Sequence, residues 1–109
     1  MLELYQTEWC PASRRVRQRL TELDVSYVSW QVPVERADRV ELLMRTGSDS
    51  IPALVGEHGE VRVGEEGILV YLDERFPEPI GAEAHRSKAI KARKREREEA
   101  ARCFEPVTH

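Results

Sequence analysis

Leu2-Glu3-Leu4-Tyr5-Gln6 alternates apolar and polar side chains at a period of two, the pattern of a half-buried strand. From Pro11 the period lengthens. Ala12, Val16, Leu20 and Leu23 recur at spacings of four, four and three, which sets them on one helical stripe and turns Arg14, Arg15, Arg17 and Gln18 elsewhere. Ser26-Tyr27-Val28-Ser29-Trp30-Gln31-Val32 is rich in β-branched and aromatic residues and predicts a second strand, with Tyr27 and Trp30 assigned to sheet packing. A second helix is expected from about Glu35, with Ala37, Val40, Leu43 and Met44 on its buried side. Its acids, Glu35 and Asp38, come early and Gly47 stands as a left-handed stop. Ile51-Pro52-Ala53-Leu54-Val55 and Val61-Arg62-Val63 predict two short strands joined by a turn at Glu57-His58-Gly59-Glu60. A third helix runs from Glu65 to Phe76, with Ile68, Leu69, Leu72 and Phe76 apolar, and Pro77 and Pro79 end it.

The order is β-α-β-α-β-β-α, an α/β fold. The first βαβ unit requires parallel strands and a right-handed crossover, and the later hairpin is antiparallel, so a mixed four-stranded sheet flanked by helices is expected. Gly81 to His109 lacks turn residues until Pro106 and is rich in Ala, Arg, Lys and Glu, which predicts a helix from about Glu83 to Cys103. Its apolar residues (Ala84, Ile90, Ala92, Ala101, Phe104) are small and poorly aligned, so no strong packing face is expected. Charge draws the same boundary. Residues 1–80 carry nine arginines and no lysine against fifteen acids, a net of -6, and residues 81–109 carry a net of +3. The chain therefore divides into a body, residues 1–79, and a charged helical tail, residues 80–109.

With 109 residues, 40% hydrophobic and 34% charged, the chain has the composition of one folded domain. No apolar run approaches the ~18 residues of a membrane span, and no charged-then-apolar leader precedes the first strand; both point to a cytoplasmic protein with no membrane partner. Two cysteines, Cys10 and Cys103, and three scattered histidines, His58, His85 and His109, build neither a disulfide framework nor a zinc site, so no metal is expected. There is no internal repeat and no phosphate-binding glycine motif. The basic run Arg86, Lys88, Lys91, Arg93, Lys94, Arg95, Arg97 is closed by Glu96, Glu98 and Glu99 and lacks interleaved aromatics. That composition argues for a solvated, ion-paired helix over a nucleic-acid surface, with self-association as one use open to it.

Trp9-Cys10-Pro11-Ala12-Ser13 lies where the first strand hands over to the first helix. Pro suits the first helical position, which makes Cys10 the cap and points its sulfur at free backbone N–H groups. Those groups and the helix dipole favour a thiolate, as do nearby cations. Arg14 and Arg15 add positive potential if they fold back, and the Ser13 hydroxyl is expected to donate to the sulfur. The result is an activated nucleophile, set against the commoner fate of a buried inert cysteine. Trp9 is placed at the rim of the site. Cys103, in a polar tail, is not expected to be catalytic; it could resolve a mixed disulfide only if the tail folds back. Ile51-Pro52, opening a strand after Gly47-Ser48-Asp49-Ser50, is by itself an ordinary edge proline.

Taken together, a cysteine with Pro-x-Ser at a strand-to-helix turn, Ile51-Pro52 before the third strand and the β-α-β-α-β-β-α order resemble the thioredoxin superfamily. More narrowly, residues 2–79 resemble glutaredoxins and the N-terminal domain of glutathione transferases. Gly64-Glu65-Glu66-Gly67-Ile68-Leu69-Val70-Tyr71-Leu72 is similar to the transferase segment that opens the last helix of that domain. The transferases' all-helical C-terminal domain has no counterpart in the resemblance, and the tail is read as a vestige of its first helix.

The resemblance implies that Cys10 is the catalytic cysteine, with Pro11 and Ser13 beside it. It further implies that Pro52 is a cis-proline, that Ile51 offers backbone hydrogen bonds to the cysteinyl part of glutathione, and that Glu65 and Glu66 meet its γ-glutamyl end. Two residues depart from the family pattern. Ser13 replaces the second cysteine of dithiol members, and Glu65 stands where transferases usually place a serine, so a carboxylate faces a carboxylate and weak glutathione binding is expected. First-turn acids are also favourable dipole partners, a reading compatible with ligand contact. The expected activity is that of a glutaredoxin-like monothiol thiol–disulfide oxidoreductase. Glutathione or another low-molecular-weight thiol is its co-substrate, and disulfide-bearing proteins are its targets. The rivals are a transferase-like domain that conjugates thiols and a non-catalytic thioredoxin-fold binding module. Cluster-binding monothiol glutaredoxins carry Gly and Phe around the cysteine, which Cys10-Pro11-Ala12-Ser13 does not match.

Overall fold

The computed structural model describes residues 1–103. Phe104, Pro106 and His109, used above for the tail, lie outside the described residues. The elements run β1 (Leu2–Gln6), α1 (Pro11–Glu22), β2 (Tyr27–Gln31), a 3-10 turn (Arg36–Asp38), α2 (Val40–Thr46), β3 (Ala53–Val55), β4 (Val61–Val63), α3 (Glu65–Arg75) and α4 (Ala82–Cys103). The strands form one mixed sheet in the order β2-β1-β3-β4, with β1 and β2 parallel and the other two pairings antiparallel. This is the thioredoxin fold.

The period-two pattern of β1 sorts its side chains between two cores. Leu2 and Leu4, with Leu54 opposite Leu4, pack under Val16 and Leu20 of α1, its cap Leu23, and Ile68, Tyr71 and Leu72 of α3. Tyr5 and its partner Ala53 face the other way, onto Val32, Leu42 and Val55. Each fully buried aliphatic side chain contributes about 1.5–3 kcal/mol by leaving water. On α1 the buried stripe is completed at its N-terminal end by Ser13, with Ala12 half-buried, and that shift of one residue brings the serine beneath the cap. Just past the end of α1, Asp24, a short polar residue able to hold the left-handed conformation (φ 56°), turns the chain, and the Val25 N–H donates to the Leu20 carbonyl 3.0 Å away.

The second helix departs from expectation. Ala37 lies in the 3-10 turn, and Val40, Leu43 and Met44 are exposed; Leu42 alone of α2 is buried. The cause is Arg39, which sits between the two segments and is itself buried. Its guanidinium donates to the carbonyls of Pro33 (2.8 Å), Val34 (3.0 Å) and Asp49 (2.9 Å). A buried charge needs those three acceptors, and satisfying it turns the helix until Arg39 and Leu42 share the inner face. Gly47 ends α2 at φ 78° as expected. Edge strand β2 is covered little; Trp30 stacks on Tyr5 at 6.5 Å between ring centroids and donates to Glu3 (2.9 Å).

The tail helix does find a packing face, though not an apolar one. Ala82 is buried, and Arg86, Ala89 and Arg93 follow on one stripe, all half-buried. Arg86 reaches Glu22 of α1 (3.1 Å) and Glu83 (2.8 Å), and pairs with Glu78. Arg19 answers from α1 with contacts to Glu22 (2.9 Å), Asp73 (2.9 Å) and Glu78 (3.3 Å). From Lys94 to Cys103 every residue of α4 is exposed. Among the described residues, no helix is long and apolar enough to cross a membrane.

Candidate active site

Sheet register assembles the site. Tyr5 pairs with Ala53 and Ala53 with Val63, so the ends of β1, β3 and β4 lie side by side. The residues one step beyond (Gln6, Pro52 and Gly64) therefore meet at one edge of the sheet, next to the loop leading to Cys10. Gly64 fixes the junction. Its φ of 90° suits a residue without Cβ, and its N–H donates to the Pro52 carbonyl at 2.9 Å.

Cys10 caps α1 in extended conformation with Pro11 at the first helical position, and the Ser13 N–H lies 3.4 Å from Sγ. The Cys10 thiol is held below its ordinary value. Burial is the largest influence and opposes ionisation; the Ser13 hydroxyl and N–H, the Ala12 N–H and the Arg15 charge together outweigh it. The Ser13 hydroxyl differs from expectation in one respect. It is fully buried, yet it has no hydrogen-bond partner among the described residues, so the backbone makes the bond to sulfur. The hydroxyl remains beside the sulfur as an uncommitted donor. Thr7, three residues before Cys10, likewise has a buried hydroxyl without a partner among the described residues. Trp9, expected at the rim of the site, is 61% exposed and immediately precedes Cys10.

The Ile51–Pro52 peptide is cis, and Pro52 is fully buried. Ile51 is half-buried, and its N–H and carbonyl make no backbone hydrogen bond among the described residues. An extended ligand alongside it would find both free. Glu65 opens α3, whose cap Gly64 supplies no side chain. The sequence places Glu65 as an uncompensated carboxylate; the fold does not. Arg15 grips it in a bidentate ion pair, Nε to Oε1 at 2.5 Å and Nη2 to Oε2 at 2.8 Å. The hydrogen bonds from Arg15 hold the Glu65 carboxyl below the usual range. The Glu65 carboxylate is thus paired with Arg15, a partner that the expectation drawn from its charge alone did not include. Glu66 is exposed and forms no ion pair among the described residues.

Sequence reasoning missed this pair, because its members stand 50 residues apart. It also missed Arg17, which pairs with Glu8 at 3.2 Å and donates to the Thr7 carbonyl at 3.2 Å, pinning the loop before the cysteine. Cys103 is free and exposed at the end of α4, and Cys10 is free as well. A shallow groove of about 340 Å3 between α1, α3 and α4 shares Arg15 with the site but does not include Cys10. No cluster of His, Cys, Asp and Glu among the described residues could hold a metal ion.

Comparison with known proteins places these features. Residues 4–80 match the family described as glutathione S-transferase, N-terminal domain. Among solved structures, a glutathione S-transferase from Rhodospirillum rubrum is 31% identical with a TM-score of 0.62, over 72% of this chain and 35% of that one. A glutathione S-transferase from Methylobacillus flagellatus, solved with glutathione bound, is 26% identical with a TM-score of 0.61, over 71% of this chain and 38% of that one. A thioredoxin-like protein is 30% identical with a TM-score of 0.56, over 68% of this chain and 96% of its own length. The chain thus spans little more than a third of the transferases it resembles and matches the thioredoxin-like protein nearly end to end. No protein of curated function matches it in sequence.

Proposed function

The chain belongs to the glutathione S-transferase N-terminal domain family, and on that footing we propose that it carries out thiol–disulfide exchange, with Cys10 as nucleophile and a glutathione-type thiol as co-substrate. The observation that carries this reading is the cap geometry: a thiol at the start of α1, 3.4 Å from the Ser13 N–H and more acidic than an ordinary thiol. A thiolate attacks a disulfide sulfur best when it forms near working pH. Support for the co-substrate comes from the Methylobacillus relative with its bound glutathione and from the free backbone groups of Ile51.

In the first step the Cys10 thiolate attacks the thiol-derived sulfur of a mixed disulfide. A new S–S bond forms between Cys10 and the small thiol, the S–S bond to the target's sulfur breaks, and the target leaves as a thiolate that takes a proton from water. In the second, another molecule of the thiol attacks the capped Cys10. It releases the low-molecular-weight disulfide and restores the thiolate. The electrons come from the thiol, and the α1 N-terminus and the Ser13 hydroxyl stabilise the leaving Cys10 sulfur. Ser13 in place of a second thiol confines the site to this monothiol cycle.

A second reading, conjugation of the thiol to an electrophile, is favoured by the transferase relatives. Incubation with glutathione disulfide followed by intact-mass and peptide mass spectrometry tests the first reading. A glutathionyl group on Cys10 that glutathione removes is expected. An unmodified Cys10 combined with turnover of a chromogenic electrophile would favour conjugation.

A further inference from the structure

Thiol exchange does not itself explain the Arg15–Glu65 pair. Arg15 lies on the second turn of α1, five residues after the cysteine, and Glu65 is the first residue of α3. Their bidentate contact ties the two helices together across the mouth of the site. The other charges near the start of α1 are engaged elsewhere or face water. Arg17 is committed to Glu8, Gln6 and the Thr7 carbonyl, and Asp49 to Arg36. Arg14 and Glu66 are exposed and form no ion pair among the described residues. Arg15 is thus the cation whose charge is shared between the nucleophile and a carboxylate.

We propose that Arg15 and Glu65 act as a charge clamp, with Arg15 a positioning residue for the Cys10 thiolate and Glu65 the counterweight that sets how much positive potential reaches the sulfur and the incoming substrate. The proposal rests on the reading of Cys10 as nucleophile. With both residues in place the mouth is nearly neutral, and substrates are selected by shape and backbone contacts over charge. Without Glu65, the guanidinium fork is free to turn to the sulfur or to a carboxylate on the substrate, so anionic disulfides gain. Without Arg15, the sulfur loses that cation and Glu65 is left unpaired, so both thiolate formation and anionic substrates lose. The reciprocal influence of Arg15 on the thiol and of Cys10 on the guanidinium agrees with this sharing.

Alkylation of Cys10 by two reagents of equal size and opposite character, neutral iodoacetamide and anionic iodoacetate, reads the local charge directly. Each forms the same C–S bond and expels iodide. Rates are measured on the full chain carrying Cys103→Ser, at low and at high salt. Glu65→Gln should raise the iodoacetate-to-iodoacetamide ratio by about threefold and Arg15→Met should lower it by about the same factor, the scale of a partly screened exposed charge. The double variant should return close to the parent, and high salt should shrink all differences. Both positions are exposed or partly exposed, so loss of fold is not the expected outcome, and a structural defect would move both single variants the same way without changing the ratio. A fast Cys10 whose ratio neither variant moves overturns the clamp and leaves the exchange reading standing. A Cys10 no faster with either reagent than Cys103 in the unmodified chain overturns both.

Discussion

Replacing Ser13 by alanine separates what its hydroxyl does from what its backbone does. The N–H that lies 3.4 Å from the Cys10 sulfur survives the substitution; only Oγ goes. In the thiol form that oxygen is buried and unpartnered, so its removal breaks no hydrogen bond. A buried unsatisfied polar group costs about 1–3 kcal/mol, and alanine relieves part of that at the expense of a small void. The variant should therefore be as stable as the parent at acid pH, or more stable by up to about 1 kcal/mol. The thiolate form gives the opposite result. A hydrogen bond to a charged group is worth about 1.5–3 kcal/mol, and at this half-exposed sulfur the lower end applies. About 1.4 kcal/mol is tenfold, so Cys10 should react about tenfold more slowly at neutral pH. The pH dependence carries a definite sign. The folded thiol titrates below the unfolded one, so its linkage stabilises the parent fully only above the ordinary thiol value and vanishes as pH falls through the folded value. Any advantage of the variant should appear in acid and shrink or reverse in alkali. Thermal unfolding at acid and alkaline pH, with iodoacetamide kinetics at neutral pH in a Cys103→Ser background, measures both quantities. Unchanged kinetics would show that the hydroxyl does not reach the sulfur. A loss of more than 1 kcal/mol in acid would show that it serves the fold instead.

The ion pairs of the fold make two further predictions. Glu22 accepts from Gln18 (3.0 Å), Arg19 (2.9 Å) and Arg86 (3.1 Å) with its side chain only 9% exposed, so Glu22→Ala leaves two arginines short of an acceptor. A cost of about 1–3 kcal/mol in urea unfolding is expected, with faster amide exchange in the first turns of α4; unchanged exchange there would mean that apolar contact alone seats the helix. Glu3, Glu65 and Glu78 are held below the ordinary carboxylate range by hydrogen bonds from Arg45, Arg15 and Arg86 respectively. Their contribution is fully present above the ordinary range and lost as pH falls through the lower folded values, so the melting temperature should stay level from pH 7 to about 5 and drop below about 4. A melting temperature that rises on acidification would contradict this assignment.

What could be read from the sequence was local. Cys10 before Pro11 fixes a helix start within a few residues of chain, and the cap geometry follows from it. Ile51-Pro52 carried no such certainty alone and became informative only beside the element order. The second helix misled because hydrophobic spacing rewards Val40, Leu43 and Met44, whereas the buried Arg39 and its three carbonyl acceptors decide which face turns inward. No periodicity records that demand. The Arg15–Glu65 and Arg86–Glu22 pairs join residues 50 and 64 positions apart, and a helix surface rich in Arg and Glu offers many equivalent pairings until the fold selects one. The same ambiguity hid the packing face of α4. Its stripe is built from Arg86 and Arg93 with small alanines, and a hydrophobic pattern does not mark it.

The proposed function is turnover by Cys10 of mixed disulfides of a glutathione-type thiol. Its most direct test is the reduction of a glutathionylated test peptide by glutathione, followed by release of the free peptide, with the parent chain, Cys10→Ser and Cys103→Ser compared. Catalysis is expected from the parent and from Cys103→Ser at equal rates, and none above background from Cys10→Ser. Equal release with and without the Cys10 thiol would contradict it.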